Sequence, residues 1–205
     1  MTGLPPTTLV QKLSTPRAIL VFAALLRLAL VGVLGNQTFW ADTKEYEATA
    51  LQFLSGHGAQ AGNPRAPVYP LFMALGFRLG GIGNYLAIRL LQLVPAVLLV
   101  HVSGQLARRI AGGTAQRLTM LALAVSPTVV FTSGMLYPTT IYSLILVSAT
   151  LGAWELADRP NMRSGVLLGL GVGAGWLTDQ VFIAPAAAML LWLILGLQRV
   201  GIPLA

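Results

Sequence analysis

The 205-residue chain contains no cysteine, which excludes disulfides and thiolate metal sites. Its two histidines, His57 and His101, lie far apart and form no His-based metal motif. Charge is scarce too: Asp, Glu, Lys and Arg make up 9% of the residues, against about 25% in a typical soluble domain. Hydrophobic residues reach 56%, and mean hydropathy is +0.75. A soluble sphere of this size could not hide that much apolar surface, so the solvent is lipid and the chain reads as an integral membrane protein. The net charge of +7 does not come from one basic run. The Lys and Arg residues sit mostly at the ends of apolar segments, which argues for topology and lipid-headgroup contact and against nucleic acid.

What is there is apolar sequence in blocks. The N-terminus, "MTGLPPTTLVQKLSTPR", makes a poor signal peptide, and the run at 18–35 reads as an uncleaved first transmembrane helix. A span needs about 20 largely apolar residues, and six segments qualify: 17–35, 84–107, 117–134, 138–156, 163–178 and 181–198. The expectation is an all-α polytopic membrane protein with about six transmembrane helices. It would form a single membrane domain, 1–205, with a cytoplasmic segment at 1–16. An extracytoplasmic first loop at 36–83 would carry interfacial helices, and a helical bundle would fill 84–198. Segment 67–80 is apolar but short and follows prolines, so it suits a re-entrant or interfacial helix. Gly165, Gly169 and Gly173 have the small-xxx-small spacing of tight helix packing. Pro95, Pro127, Pro138 and Pro185 suggest kinks, and Trp154, Trp176 and Trp192 interface anchors.

Orientation follows from the basic residues. Lys12, Arg17, Arg108, Arg109, Arg117, Arg159, Arg163 and Arg199 fall on one side, and Lys44, Arg65, Arg78 and Arg89 on the other. Eight against four puts both termini in the cytoplasm. Arg27 and Arg89 are near enough to span ends to snorkel or pair, and His101 is expected to hydrogen-bond a neighbouring helix.

The polar insert stands apart. "FWADTKEYEATALQFLSGHG" (39–58) holds Asp42, Lys44, Glu45 and Glu47. Tyr46, Ala50, Phe53 and Leu54 form an apolar stripe at helical spacing. Asp42 suits an N-cap with Glu45 at N3, and Trp40 an interface anchor. One reading is an amphipathic helix on the membrane surface, its acids toward water. The other is chemical. Asp42 could act as a general base toward a hydroxyl or amine, or hold a divalent metal with Glu45. Arg65, in "NPRAPVYP", could grip a phosphate, with Tyr69 stacking or hydrogen-bonding. His57, between two glycines, reads as a turn residue or as a contact to acceptor or metal.

"DTKEYEATALQFLSGHG" followed by "RAPVYPLFMAL" resembles the first outer loop of membrane glycosyltransferases of the C superfamily. The nearest groups are the dolichyl-phosphate-mannose protein mannosyltransferases and the bacterial aminoarabinose transferases. Asp42, Tyr46, Gly56, Gly58, Arg65, Pro67, Tyr69 and Pro70 carry the likeness. It continues through "AIRLLQLVPAVLLVHVSGQLARRIAGG", "ALAVSPTVVFTSGMLYPTTIYSLIL" and "GLGVGAGWLTD". The resemblance implies a bacterial inner-membrane protein using a polyprenyl-phosphate-linked sugar. It implies Asp42 as catalytic base or metal-site residue, and Arg65, Tyr69, Tyr46, Glu45 and His57 as substrate contacts. Two positions depart from the pattern: Thr139 stands where relatives often carry glutamate, and Asp179 where they often carry arginine. The chain also resembles only the first half of such an enzyme. Either a partner chain or a second copy completes the enzyme, or the chain is a non-catalytic accessory subunit.

Overall fold

The computed structural model describes residues 15–57 and 65–199, so Gly58 and most of the expected N-terminal segment lie outside it. The described residues form eight α-helices. These are α1 (Pro16–Leu34), α2 (Asp42–Leu54), α3 (Val68–Gly80), α4 (Tyr85–Val125), α5 (Pro127–Gly134), α6 (Thr139–Asp158), α7 (Met162–Trp176) and α8 (Ile183–Arg199). A 3-10 turn, Gln180–Phe182, precedes α8.

The all-α expectation stands, but the count of about six spans does not. Among the described residues, three helices are long and apolar enough to cross a membrane: α1, α4 and α6. Helix breakers divide the remaining apolar sequence. The expected second and third spans run together into α4, a 41-residue stretch kinked at Ala111 and Gly112. Gly112, at φ +80, supplies a left-handed conformation that a side chain would resist. Ser126 is extended ahead of Pro127, as the pre-proline clash demands. That leaves α5 with only 8 residues. The expected fifth and sixth spans are α7, of 15 residues, and α8, of 17. At about 1.5 Å per residue both fall short of a ~30 Å hydrocarbon core. Pro95 lies inside α4, yet the non-helical dihedrals occur at the glycine and not there.

Local signals fix several helix starts. The Thr15 hydroxyl accepts from the Ala18 amide at 3.3 Å ahead of Pro16, and Asn84 and Asn161 cap α4 and α7 in the same way. Three apolar clusters hold the helices together. Ile19 and Ala23 of α1 meet Val100, Met120 and Ala124 from both arms of α4. Tyr46, Tyr69, Met73, Phe77 and Ile88 join α2, α3 and α4, with Leu136 and Ile141 closing the cluster. Ala149, Leu168, Phe182 and Leu193 join α6, α7 and α8. Trp154 and Trp192 stack on each other with ring centroids 5.6 Å apart.

The two intramembrane arginines correct the snorkelling expectation, because both are fully buried. Arg27 Nη1 donates to the Ala23 and Ala124 carbonyls, and Nη2 to that of Leu123. Arg27 Nε is buried with no partner among the described residues. His101 Nδ1 is likewise buried and unpaired, so the expected interhelical hydrogen bond is not made at that atom.

Candidate active site

The polar insert folds as α2, and Asp42 is its first helical residue. The N-cap position falls to Ala41, which makes no side-chain cap, so the expected capping role of Asp42 is not realised. Its carboxylate turns to Arg65 instead: Arg65 Nη2 lies 3.2 Å from Asp42 Oδ1. One turn along α2, Glu45 Oε2 lies 2.7 Å from Arg65 Nε. A single guanidinium therefore gathers both acids. Its Cζ stands 4.9 Å from the centroid of the Tyr46 ring, which gives the cation a π face as well. The side chains of Asp42 and Glu45 are 44% and 55% exposed. At that exposure each ion pair contributes about 0–1 kcal/mol, so the arrangement positions charge more than it stabilises the fold. Burial acts to lower the Arg65 pKa, but the hydrogen bond to Glu45 and the neighbouring Tyr46, Asp42 and Glu45 outweigh it and raise it.

The apolar stripe of α2 packs against protein. Tyr46 and Ala50 are buried, and the Tyr46 ring meets Tyr69 and Tyr137 edge-on, with centroids 5.2 and 5.6 Å away. Burial, with Tyr137 adding and Arg65 opposing, pushes the Tyr46 phenol up to about 12. Tyr69 is fully buried beneath it and donates to Gln92 Oε1 at 3.1 Å. Tyr69 thus joins the site through the Tyr46 ring and the core, not through an exposed face. His57 follows the far end of α2, where Gly56 at φ +79 turns the chain out of the helix. Its Nδ1 lies 2.8 Å from Ser55 Oγ. Fifteen residues of mostly helical chain place it about 20 Å from Asp42. The structure brings Asp42, Glu45, Tyr46 and Arg65 together and leaves His57 apart.

Beside Asp42 opens a cleft of about 400 Å³. Trp40, Ala41 and Asp42 form one wall; Thr132, Met135, Tyr137 and Thr139 form the other. Thr139 therefore faces the same cleft as Asp42, at the position where the sequence lacks an acid. Among the described residues no group of three or more His, Cys, Asp or Glu side chains could hold a metal ion. Asp42 and Glu45, the pair considered for a divalent cation, both converge on Arg65.

Sequence reasoning missed the supports. Arg89 and Gln92, one turn apart on α4, are both buried. Gln92 Nε2 donates to the carbonyls of Ser133 and Met135, at 3.0 and 2.7 Å. Arg89 donates to the carbonyls of Gly134, Gly35 and Gln37. The Thr43 hydroxyl donates to the Leu136 carbonyl at 3.4 Å. The Tyr85 hydroxyl meets both oxygens of Glu47 at 2.9 Å, which gives the third acid of the insert a structural partner. The available signal was an arginine and a glutamine three residues apart in an apolar run, since polar groups at such depth require partners.

A family model for dolichyl-phosphate-mannose-protein mannosyltransferases matches residues 64–202, more than half of the chain. The chain belongs to that family. The matched stretch of the mannosyltransferase-family chain includes Arg65, Tyr69, Arg89, Gln92 and Thr139, and begins after Asp42, Glu45, Tyr46 and His57. No curated protein and no solved structure matches it.

Proposed function

We propose that the chain is a glycosyltransferase-type membrane protein that handles a sugar carried on a polyprenyl phosphate, at the extracytoplasmic side of a bacterial inner membrane. The observation that carries this reading is the half-exposed Asp42 carboxylate at the mouth of a cleft with Arg65 beside it, in a member of this family. In the proposed reaction Asp42 accepts the proton of an acceptor hydroxyl as its oxygen attacks the anomeric carbon. The bond to phosphate breaks, and Arg65 stabilises the negative charge left on the phosphate oxygens. Glu45 and Tyr46 orient Arg65. A divalent metal at Asp42 and Glu45 would have to displace the guanidinium.

One observation favours a second reading, a non-catalytic accessory subunit. Arg65 is shared by two carboxylates, and Thr139 supplies no second acid on the facing wall. Asp179, where a cation would help a phosphate leave, is occupied in capping the 3-10 turn through the Val181 amide, 3.0 Å away. The test is consumption of a polyprenyl-phosphate-linked sugar by the purified chain and by Asp42→Asn, with a native purification alongside. Turnover that disappears in Asp42→Asn supports the enzyme. No turnover, together with a stoichiometric membrane partner or a second copy, supports the accessory subunit.

A further inference from the structure

We propose that Arg89 is the positioning residue that sets the width of the Asp42 cleft, with Gln92 as its second anchor. Arg89 is bonded to the chain segments behind both walls, and the Thr43 hydroxyl adds a single longer link between them through the Leu136 carbonyl. Its Nη1 and Nη2 hold the carbonyls of Gly35 and Gln37, just ahead of Trp40, Ala41 and Asp42. Its Nε holds the carbonyl of Gly134, next to Met135 and Tyr137. A planar fork with donors fixed in direction can hold three acceptors from two segments in one register. Gln92 repeats the contact on the second wall alone, through the carbonyls of Ser133 and Met135. Asn36 ties the first segment to the start of α4, donating to the Gly83 carbonyl and accepting from the Leu86 amide, each at 3.0 Å. Among the described residues no carboxylate lies within ion-pair distance of Arg89, so carbonyl dipoles alone hold the guanidinium. Losing one segment would leave a buried charge poorly solvated, and that penalty keeps both walls in place.

The role in catalysis rests on the glycosyl-transfer reading; the role in cleft geometry does not. The experiment separates them. The chain has no cysteine, so Lys44→Cys and Phe131→Cys, both at exposed positions, accept spin labels on the two sides of the cleft. Distance distributions are measured on the full chain in lipid nanodiscs. Arg89→Gln is expected to broaden and shift the distribution, and Arg89→Lys to do so by less, because an ammonium keeps the charge but not the fork. Arg27→Gln is the control: it removes the other carbonyl-bound buried arginine, which fastens α1 to α4 away from the cleft, and should leave the distribution narrow. Donor turnover by Arg89→Gln should fall on the order of 100-fold with KM little changed, as for a misplaced catalytic group. If Arg89→Gln fails to fold, Arg89→Lys and Gln92→Leu are read in its place. An unchanged distribution in the Arg89 variants, or equal broadening in Arg27→Gln, overturns the proposal. A wild type without turnover overturns the reaction alone, and the distances still decide the role of Arg89.

Discussion

Removing the Tyr69 hydroxyl distinguishes a core tyrosine from a substrate contact. Tyr69 is fully buried, and its hydroxyl donates to Gln92 Oε1 at 3.1 Å. Gln92 in turn donates to two carbonyls of the turn that lines the cleft. Tyr69→Phe keeps the ring against Tyr46 and Phe72 and strands one buried acceptor. In water-soluble cores a stranded group costs about 1–3 kcal/mol. Interhelical hydrogen bonds in bilayers average nearer ~0.6 kcal/mol, because separated helices find other partners. The site is sealed by protein, so we expect about 1 kcal/mol for Tyr69→Phe. Gln92→Leu removes two donors as well as the acceptor and should cost about 2–3 kcal/mol. The double variant should then recover a coupling of about 1 kcal/mol. Reversible unfolding in mixed detergent micelles measures all four species. A coupling near zero would refute the bond. A Tyr69→Phe chain of wild-type stability that bound a polyprenyl-phosphate donor more weakly would move Tyr69 from the core to the substrate.

Two further outcomes are expected. The Tyr46 phenol is pushed up to about 12 by burial, against an ordinary value near 10. Its contribution to stability is therefore full below pH 10 and is lost as pH rises toward 12, by ~3 kcal/mol in total; unfolding titrations of wild type and Tyr46→Phe should diverge in that window, and parallel curves would count against it. A Cβ at Gly175 would meet the Phe182 ring at 2.5 Å, whereas one at Gly169 meets nothing within 4 Å. Gly175→Ala should cost about 1–3 kcal/mol and Gly169→Ala almost nothing, read as shifts in thermal unfolding.

That contrast shows where sequence pattern ran out. The Gly165, Gly169 and Gly173 spacing pointed to close helix packing, yet Cβ atoms at all three would meet open space. Among the described residues, the glycines that permit close approach are Gly76, Gly80, Gly104, Gly134 and Gly175, each against a side chain of another element or helix arm. Spacing along one helix does not say which face meets a neighbour. The span count failed for a related reason. Hydropathy registers apolar length, while Gly112, Pro127 and the 3-10 turn decide where helical hydrogen bonding stops. The α2 helix was legible from its stripe and its acids, and Arg65 from its proline-flanked motif. The pairing of Arg65 with both Asp42 and Glu45 was not, because twenty residues separate Glu45 from Arg65, and no local rule links them. Membership in the mannosyltransferase family was legible in the first-loop motif, although the matched stretch takes in its second part, with Arg65, Pro67, Tyr69 and Pro70, and begins after Asp42, Tyr46, Gly56 and Gly58.

Arg27 and Arg89 answer one electrostatic problem at two places. A cation away from water needs either a carboxylate, which brings its own desolvation cost, or enough oriented dipoles. The last turn of a helix offers carbonyls with no intrahelical donor, at the negative end of the helix dipole. Arg27 takes Leu123 and Ala124 from the last turn of α4. Arg89 takes Gly35, just past the end of α1, and Gly134, the last residue of α5. In each case the arginine sits on a neighbouring helix, so the carbonyl-bound charge doubles as a fastening between helices. The requirement is directional. A lysine could supply the charge but not three donors fixed in a plane, and an apolar side chain would leave the carbonyls open. Arg89 makes the ends of α1 and α5 mutually dependent, and the Asp42 cleft is built on those ends; Arg27 ties α1 to the last turn of α4, away from it.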